Sequence, residues 1–437
     1  MKCTVVAFCF LIFGCLRVLG QNPSFNGRWI LIEDFFGTPR YLRLQVEQNG
    51  SKISGELNGD KLDGAAEGRN IHFVAHTEQK DTFELQGSLE GGILKATMIN
   101  TEASNPDHPY RFSITGQPAP PLQHGTPQHH EFKPTVFYRQ FSALNKPVLT
   151  LAPGDTIHTT TVDAGGTDEN GVRRVAGGNP ETGPFYIKGA MPGDVLVIHI
   201  NKLRLNRDWA ISDDFLVDRS VTPDLAVKMK GVGKDIKWHL DLANATAFPS
   251  KPGDHLTRFR VPLKPMLGCI AAAPSISQAP PPTGDSGFFG GNMDFNEVSE
   301  GATVYLRVSN PGALLYFGDG HAAQGDGELN GNALETSMDV ELAVDVIPNK
   351  RIADPRIETP DAIITMGLDG SLDAAFEEAT GDMAAWLAED YKLTPSEVAQ
   401  VIGAGAEYKV SEVADRNAGV VLKLNKKYLE TLASGTK

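Results

Sequence analysis

Gly318-Asp319-Gly320-His321-Ala322-Ala323-Gln324-Gly325-Asp326-Gly327-Glu328 is the stretch on which the reading of this chain turns. The apolar run Ala313-Leu314-Leu315-Tyr316-Phe317 leads straight into it. A buried strand that ends in glycines, three carboxylates and an imidazole holds functional groups on a rigid support. Glycine lets the backbone approach closely or adopt positive φ. The plainer alternative is a string of glycine turns with solvated acids. If the chain stays extended through His321, Asp319 and His321 project to one side, because strand side chains alternate. Asp326 and Glu328 have the same spacing.

Around this stretch the chain reads as β-rich. Ala152-Pro153-Gly154-Asp155 and Met191-Pro192-Gly193-Asp194 each precede an apolar strand, and Pro-Gly suits the two central positions of a type II turn. Lys251-Pro252-Gly253-Asp254 is a third copy, before a weaker strand. The first strand runs into Val162-Asp163-Ala164-Gly165-Gly166, which makes Asp163 either a site residue or a turn cap. Two helices are expected near the end. Ser371 caps residues 372–391, with Leu372, Phe376, Ala379, Met383, Trp386 and Leu387 on one face. Thr394-Pro395-Ser396-Glu397 is a capping box that opens the second helix, to about Gly403. Residues 410–413 and 419–424 read as closing strands.

Residues 25–114 show short alternating strands separated by turns such as Asn49-Gly50 and Asn58-Gly59-Asp60. That spacing suggests a small antiparallel sandwich or barrel. Gln117-Pro118-Ala119-Pro120-Pro121 has the composition of a semi-rigid linker. The expected organisation is a signal at 1–20, a β-module at 22–116, a linker at 117–121 and a larger domain at 122–437. The fold class is mainly β with a few helices.

The 437 residues carry a formal net charge of −14, which argues against a nucleic-acid partner. Lys2, the apolar run of residues 4–16, and Val18 and Gly20 before Gln21 compose an export signal, so a periplasmic or secreted location is expected. Cys15 offers lipidation as an alternative, although Phe13 fits that motif poorly. Cys3, Cys9 and Cys15 lie in the signal, and Cys269 sits in an apolar run suited to a buried structural thiol.

Several chemistries drop out. The chain has no GxSxG elbow, no HExxH and no phosphate-binding glycine loop. Ser286 in Gly284-Asp285-Ser286-Gly287 lacks a pattern of triad partners. What remains is a carboxylate–imidazole set: Asp319, His321, Asp326 and Glu328, with Asp163, Asn292 and Asp294 from other loops. Such a set suits a divalent cation that activates water and polarises a carbonyl, with Glu328 or Asp326 as general base.

Gly290-Gly291-Asn292-Met293-Asp294, Pro311-Gly312-Ala313-Leu314 and the 318–328 stretch closely resemble the acetamidase/formamidase family. The likeness extends through Thr182-Gly183-Pro184-Phe185-Tyr186-Ile187 and Val261-Pro262-Leu263-Lys264-Pro265-Met266-Leu267-Gly268, and spans about 122–437. It implies hydrolysis of short linear amides to a carboxylate and ammonia, a bound metal, and oligomers, a dimer being expected. By that likeness the site draws on His124, Asp163, Asn292, Asp294, Asp319, His321 and Glu328. The expected roles are metal ligands at His124, Asp163, Asp294 and His321, catalytic carboxylates at Asp319, Asp326 and Glu328, and substrate contacts at Asn292 and Gln324. Zinc is the first expectation, with calcium or manganese as alternatives. Arg307 stands where the family commonly has proline, and Asn206-Arg207-Asp208-Trp209 falls in a variable region, so the amide itself is left open. The competing expectation is a non-catalytic exported binding protein that uses the β-module for recognition.

Overall fold

A computed structural model describes residues 24–122, 125–229 and 233–432. The expected export signal and His124 lie outside the described residues. The protein is mainly β, as expected. Its residues divide into two compact units: 24–28 with Leu44–Gln117, and Trp29–Arg43 with residues 118–432.

Eight antiparallel strands between Gly27 and Pro118 close into a barrel, which decides between the two architectures the spacing allowed. Turns such as Asn58-Gly59, both at positive φ, connect strands whose burial alternates. Leu44, Ile53, Phe73, Leu85 and Met98 are fully buried. Eight strands leave an interior just wide enough for side chains to fill. The last strand, Tyr110–Pro118, carries into the proline-rich stretch.

The β body is built on two sheets. A twelve-stranded sheet has Leu315–His321 at its centre, flanked by Met266–Ala272, Glu335–Thr336 and Glu181–Ile187. A nine-stranded sheet runs through Thr303–Arg307, Val195–Leu205 and Met338–Ile347. One apolar cluster draws on both, with Phe185, Ile270, Leu315 and Phe317 from the first and Ile198, Leu306, Leu342 and Ile364 from the second. Phe185 stacks on Phe317 at 5.4 Å. All seven residues of Leu315–His321 are buried, so removing an aromatic such as Phe317 would cost about 3–5 kcal/mol.

The Pro-Gly-Asp turns launch strands as the composition predicts. Gly154 and Gly193 have φ +92° and +84°. Asp155 and Asp194 each accept a hydrogen bond from the residue that opens the turn, Ala152 at 2.8 Å and Met191 at 3.0 Å. The third copy differs, since Gly253 does not take positive φ.

Ser371 caps the helix Leu372–Asp390 by accepting from the Ala374 amide, and the capping box at Thr394 opens Pro395–Gly405. Ala379, Met383, Trp386 and Leu387 pack on Ile363, Leu422 and Leu424 of the nine-stranded sheet. Leu372 and Phe376 were expected on the same face but are exposed, because the buried stripe at this end runs through Ala375 and Ala379, and Phe376 stacks on Tyr408 at 4.4 Å instead. The closing strands are Ala406–Val410 and Ala418–Asn425.

Candidate active site

Asp319 and His321 come from the central strand, and Asp294 from the loop after Gly290–Asn292. Glu328 lies on the loop after the central strand, and Glu335 on the short strand paired to it, directly across from His321. All five are buried. Asp319 and His321 meet: Nε2 of the imidazole is 3.3 Å from Asp319 Oδ2 and 3.2 Å from Glu335 Oε1. Two overlapping trios could each hold a cation, Asp294–His321–Glu328 and Asp319–His321–Glu335.

Gln324 decides which ring nitrogen of His321 is available. Its Nε2 donates to the carbonyl oxygens of Asp294 at 2.6 Å and Ser411 at 3.2 Å. Its Oε1 must therefore face His321 Nδ1, at 2.9 Å, and accept a hydrogen bond from the Nδ1–H. Nε2 is left facing two carboxylates, open to a proton or a cation. It has no satisfying partner, and neither do Asp294 Oδ1, Asp319 Oδ1 and Glu335 Oε2, all buried. Orphaned buried polar atoms are rare, and a group of them points to a missing ligand.

The backbone supports that reading. Asp294, Asp319 and Glu328 have φ of +42°, +51° and +47°, a region that non-glycine residues enter at a cost of about 1–3 kcal/mol each. A Cβ on Gly268 would fall 2.5 Å from both Asp294 Oδ1 and Asp319 Oδ2 and 3.0 Å from His321 Cε1. The space between the two carboxylates thus exists because residue 268 has no side chain. The donor set and this cradle fit a divalent cation.

Burial and mutual repulsion dominate the electrostatics. Burial first, then Glu328 and Asp319, push the Asp294 carboxyl well up. Burial also raises Glu328 well above the carboxylate range, with His321 opposing. Glu335 is pushed up to about 7 by burial, again against the pull of His321. Burial would depress His321, but Glu335 and Asp319 outweigh it and raise the imidazole well above its usual value. Protons or a cation must neutralise this much negative charge.

The remaining expected residues are placed differently. Asp163 is buried, but its Oδ2 receives Arg207 Nη2 at 2.7 Å and its Oδ1 receives the Thr167 amide at 2.8 Å. Arg207 also donates to the Glu335 carbonyl at 3.2 Å, so Asp163 reaches the cluster through that guanidinium. Asp326 is exposed and accepts from Asn296 Nδ2 at 2.7 Å. Gly327 intervenes at φ +88°, so Asp326 and Glu328 do not share a side. Asn292 Nδ2 donates to Asp294 Oδ2 at 2.7 Å and Asp415 Oδ2 at 2.5 Å, while its Oδ1 accepts from Asn179. The amides of Asn292 and Gln324 are thus engaged by their neighbours.

Four residues were missed. Glu335 follows only Ala333-Leu334 and carries no motif of its own. Glu181 opens Glu181–Ile187 and is fully buried with neither carboxylate oxygen bonded. Burial, then Asp319, pushes its carboxyl well up. Gly318 makes room for it, since a Cβ there would clash with Glu181 Oε2 at 2.4 Å. Asn179 and Asp415 are only partly buried and line the less enclosed side of the cluster. Asp415 is raised to about 6 by burial. Cys269, the one described cysteine, is a buried thiol whose pKa burial and Glu181 push well up.

Residues 281–413, which include most of this cluster, match the model of the Acetamidase/Formamidase family. The β body is acetamidase/formamidase-like. Its fold matches a predicted acetamidase/formamidase from the thermophile Thermoanaerobacter tengcongensis, with TM-score 0.59 and 28% identity over 70% of this chain and 98% of that one. An acetamidase from Bacillus halodurans gives TM-score 0.59 and 28% identity over 70% and 100% of the two chains. An acetamidase from Yersinia enterocolitica gives 0.61 and 26% over 71% and 96%. A Schizosaccharomyces pombe protein named as a formamidase is 26% identical over 234 residues, 41% of this chain. The chain spans about half, 54%, of that curated relative.

Proposed function

We propose that this protein hydrolyses short linear amides of the acetamide or formamide kind to a carboxylate and ammonia, in a site built around His321. The observation that carries the proposal is the group of orphaned buried donor atoms on His321, Asp294, Asp319 and Glu335, in a β body like those of acetamidases. Nε2 of His321 with Asp319 and Glu335, and Asp294 across the cradle opened by Gly268, would hold a divalent cation, zinc before calcium or manganese. Such a cation, when bound, lowers the pKa of water and polarises the amide carbonyl.

The chain's own groups carry the proton traffic. Glu328, anchored by the Ala333 amide at 3.0 Å, takes a proton from the attacking water and returns it to the departing nitrogen, so that water and amide give acid and ammonia. A carboxyl raised toward neutrality suits both halves of that transfer. Asp415, on the less enclosed side, accepts from the substrate N–H groups. Asn292 and Gln324 hold Asp294 and His321 in place.

The test is ammonia release across a panel of short amides by the purified chain, with and without chelation. No release from any of them overturns the activity. Release that survives complete metal removal overturns the cation. The composition of the leading residues supports export, with a mature N-terminus at Gln21 that N-terminal sequencing of the secreted chain would check. A dimer is the expected assembly, to be checked by light scattering.

A further inference from the structure

A second set of basic groups lies away from this site and shares no residue with it. It lines a cavity of about 320 Å³ between the strand Thr303–Arg307, residues 350–356 and the helix Leu372–Asp390. Arg307, Lys350, Arg351 and Arg356 all contribute, with Asp382 and Glu389 from the helix. Their pairing is incomplete. Lys350 is taken by Asp390 at 2.6 Å. Arg356 is buried and donates through Nε and Nη2 to Asp382 at 2.7 and 2.8 Å, with its guanidinium 4.9 Å from the Trp386 ring. That clamp fixes the guanidinium plane and leaves Nη1 buried without a partner. Arg307 lies 4.9 Å from the Phe288 ring, and neither it nor Arg351 has an ion pair among the described residues. Arg307 is exposed at the strand end, yet desolvation where it packs, and then Arg351, lower its guanidinium against the pull of Asp354, so the two like charges repel. Asp354 offers little countercharge, since burial with Glu378 and Asp382 raises its carboxyl to about 7.

We propose that this cavity binds a small oxyanion, a molecule that bears a phosphate or carboxylate group, on Arg307 and Arg351, beside the clamped Arg356. Guanidinium forks match the geometry of both groups, and an anion between Arg307 and Arg351 would relieve their repulsion. The volume is at the lower end for small-molecule sites, which favours a compact ligand.

The test is titration calorimetry on the full chain with inorganic phosphate and, separately, with succinate, at constant ionic strength set by potassium chloride. The expected result is saturable binding of one of them, one per chain, weakened at least about tenfold in Arg351→Gln and in Arg307→Gln, the loss of one charge-assisted hydrogen bond. Whichever anion binds identifies the source of the oxyanion. Arg351 is exposed, so its variant should fold, and amide hydrolysis should be unchanged in it. The proposal is overturned if neither anion binds at millimolar concentration, if both variants bind as tightly as the parent chain, or if Lys251→Gln on the distant surface weakens binding equally.

Discussion

Gly64 in the barrel and Gly268 in the β body both lie within strands that have no room for a methyl group, yet different atoms fill the space. A Cβ on Gly64 would sit 2.1 Å from the His72 carbonyl oxygen and 2.6 Å from Phe73 Cα. Backbone meets backbone there, and the missing side chain lets neighbouring strands bend tightly enough to close. A Cβ on Gly268 would instead meet two carboxylates and an imidazole. In the barrel the glycine serves closure. In the body it keeps a space open among charges that would otherwise be costly to bury. The same contrast holds for the buried groups themselves. The barrel buries Leu, Ile, Phe and Met with one acid, Glu33, held by Arg40, whereas the body buries four acids around one histidine.

The comparison can be broken most sharply by making the same substitution in both places. Gly268→Ala should reduce ammonia release by about 100-fold or more, because it displaces two site carboxylates by about an ångström. Its melting temperature should change far less than its rate. Gly64→Ala should do the reverse, with a stability loss of about 1–3 kcal/mol by denaturant titration and an unchanged rate per folded molecule. Equal loss of activity in the two variants would remove the distinction.

Gln324→Ala comes next. It frees His321 Nδ1 and both carbonyl oxygens that now fix the amide, so metal affinity or rate should fall about 10- to 100-fold. A rate within twofold of the parent would show that the tautomer of His321 is set elsewhere. The smallest expected effect concerns pH. Asp354 has its carboxyl raised from 3.8 to about 7, chiefly by burial. Its folded form therefore keeps a proton that the unfolded chain gives up near 4. The stability it contributes is fully present below pH 4 and is lost as pH rises through 7. Asp354→Asn should flatten the fall in melting temperature between pH 5 and 8. An unchanged slope would show that Asp354 titrates normally.

Much of this was legible in the chain. The burial of 313–321, the type II turns and both helix caps follow from local composition, because glycine, proline and apolar runs act over a few residues. The grouping of Asp294 with Asp319, His321 and Glu328 came instead from the family resemblance, since the strand Met266–Ala272, paired to both segments, brings them together. Glu335 was not legible, since it faces His321 through strand pairing rather than through any spacing of its own. Asp415 reaches Asn292 across 123 positions, and only the register of the closing strands brings it there. Asp163 looked like a ligand because a buried Asp before two glycines carries no mark of the arginine it pairs with. Arg207 lay in a stretch that had pointed only to substrate variation.

The proposed divalent cation holds the acids around His321 together and is required for amide hydrolysis. The most direct measurement is the initial rate of ammonia release from formamide and acetamide by the purified chain, before chelation, after it, and after a divalent metal is added back. The account predicts a rate that is lost on chelation and restored by metal, and that stays absent in His321→Ala under all three conditions. A chelated chain that is metal-free by elemental analysis and still works at full rate would contradict it.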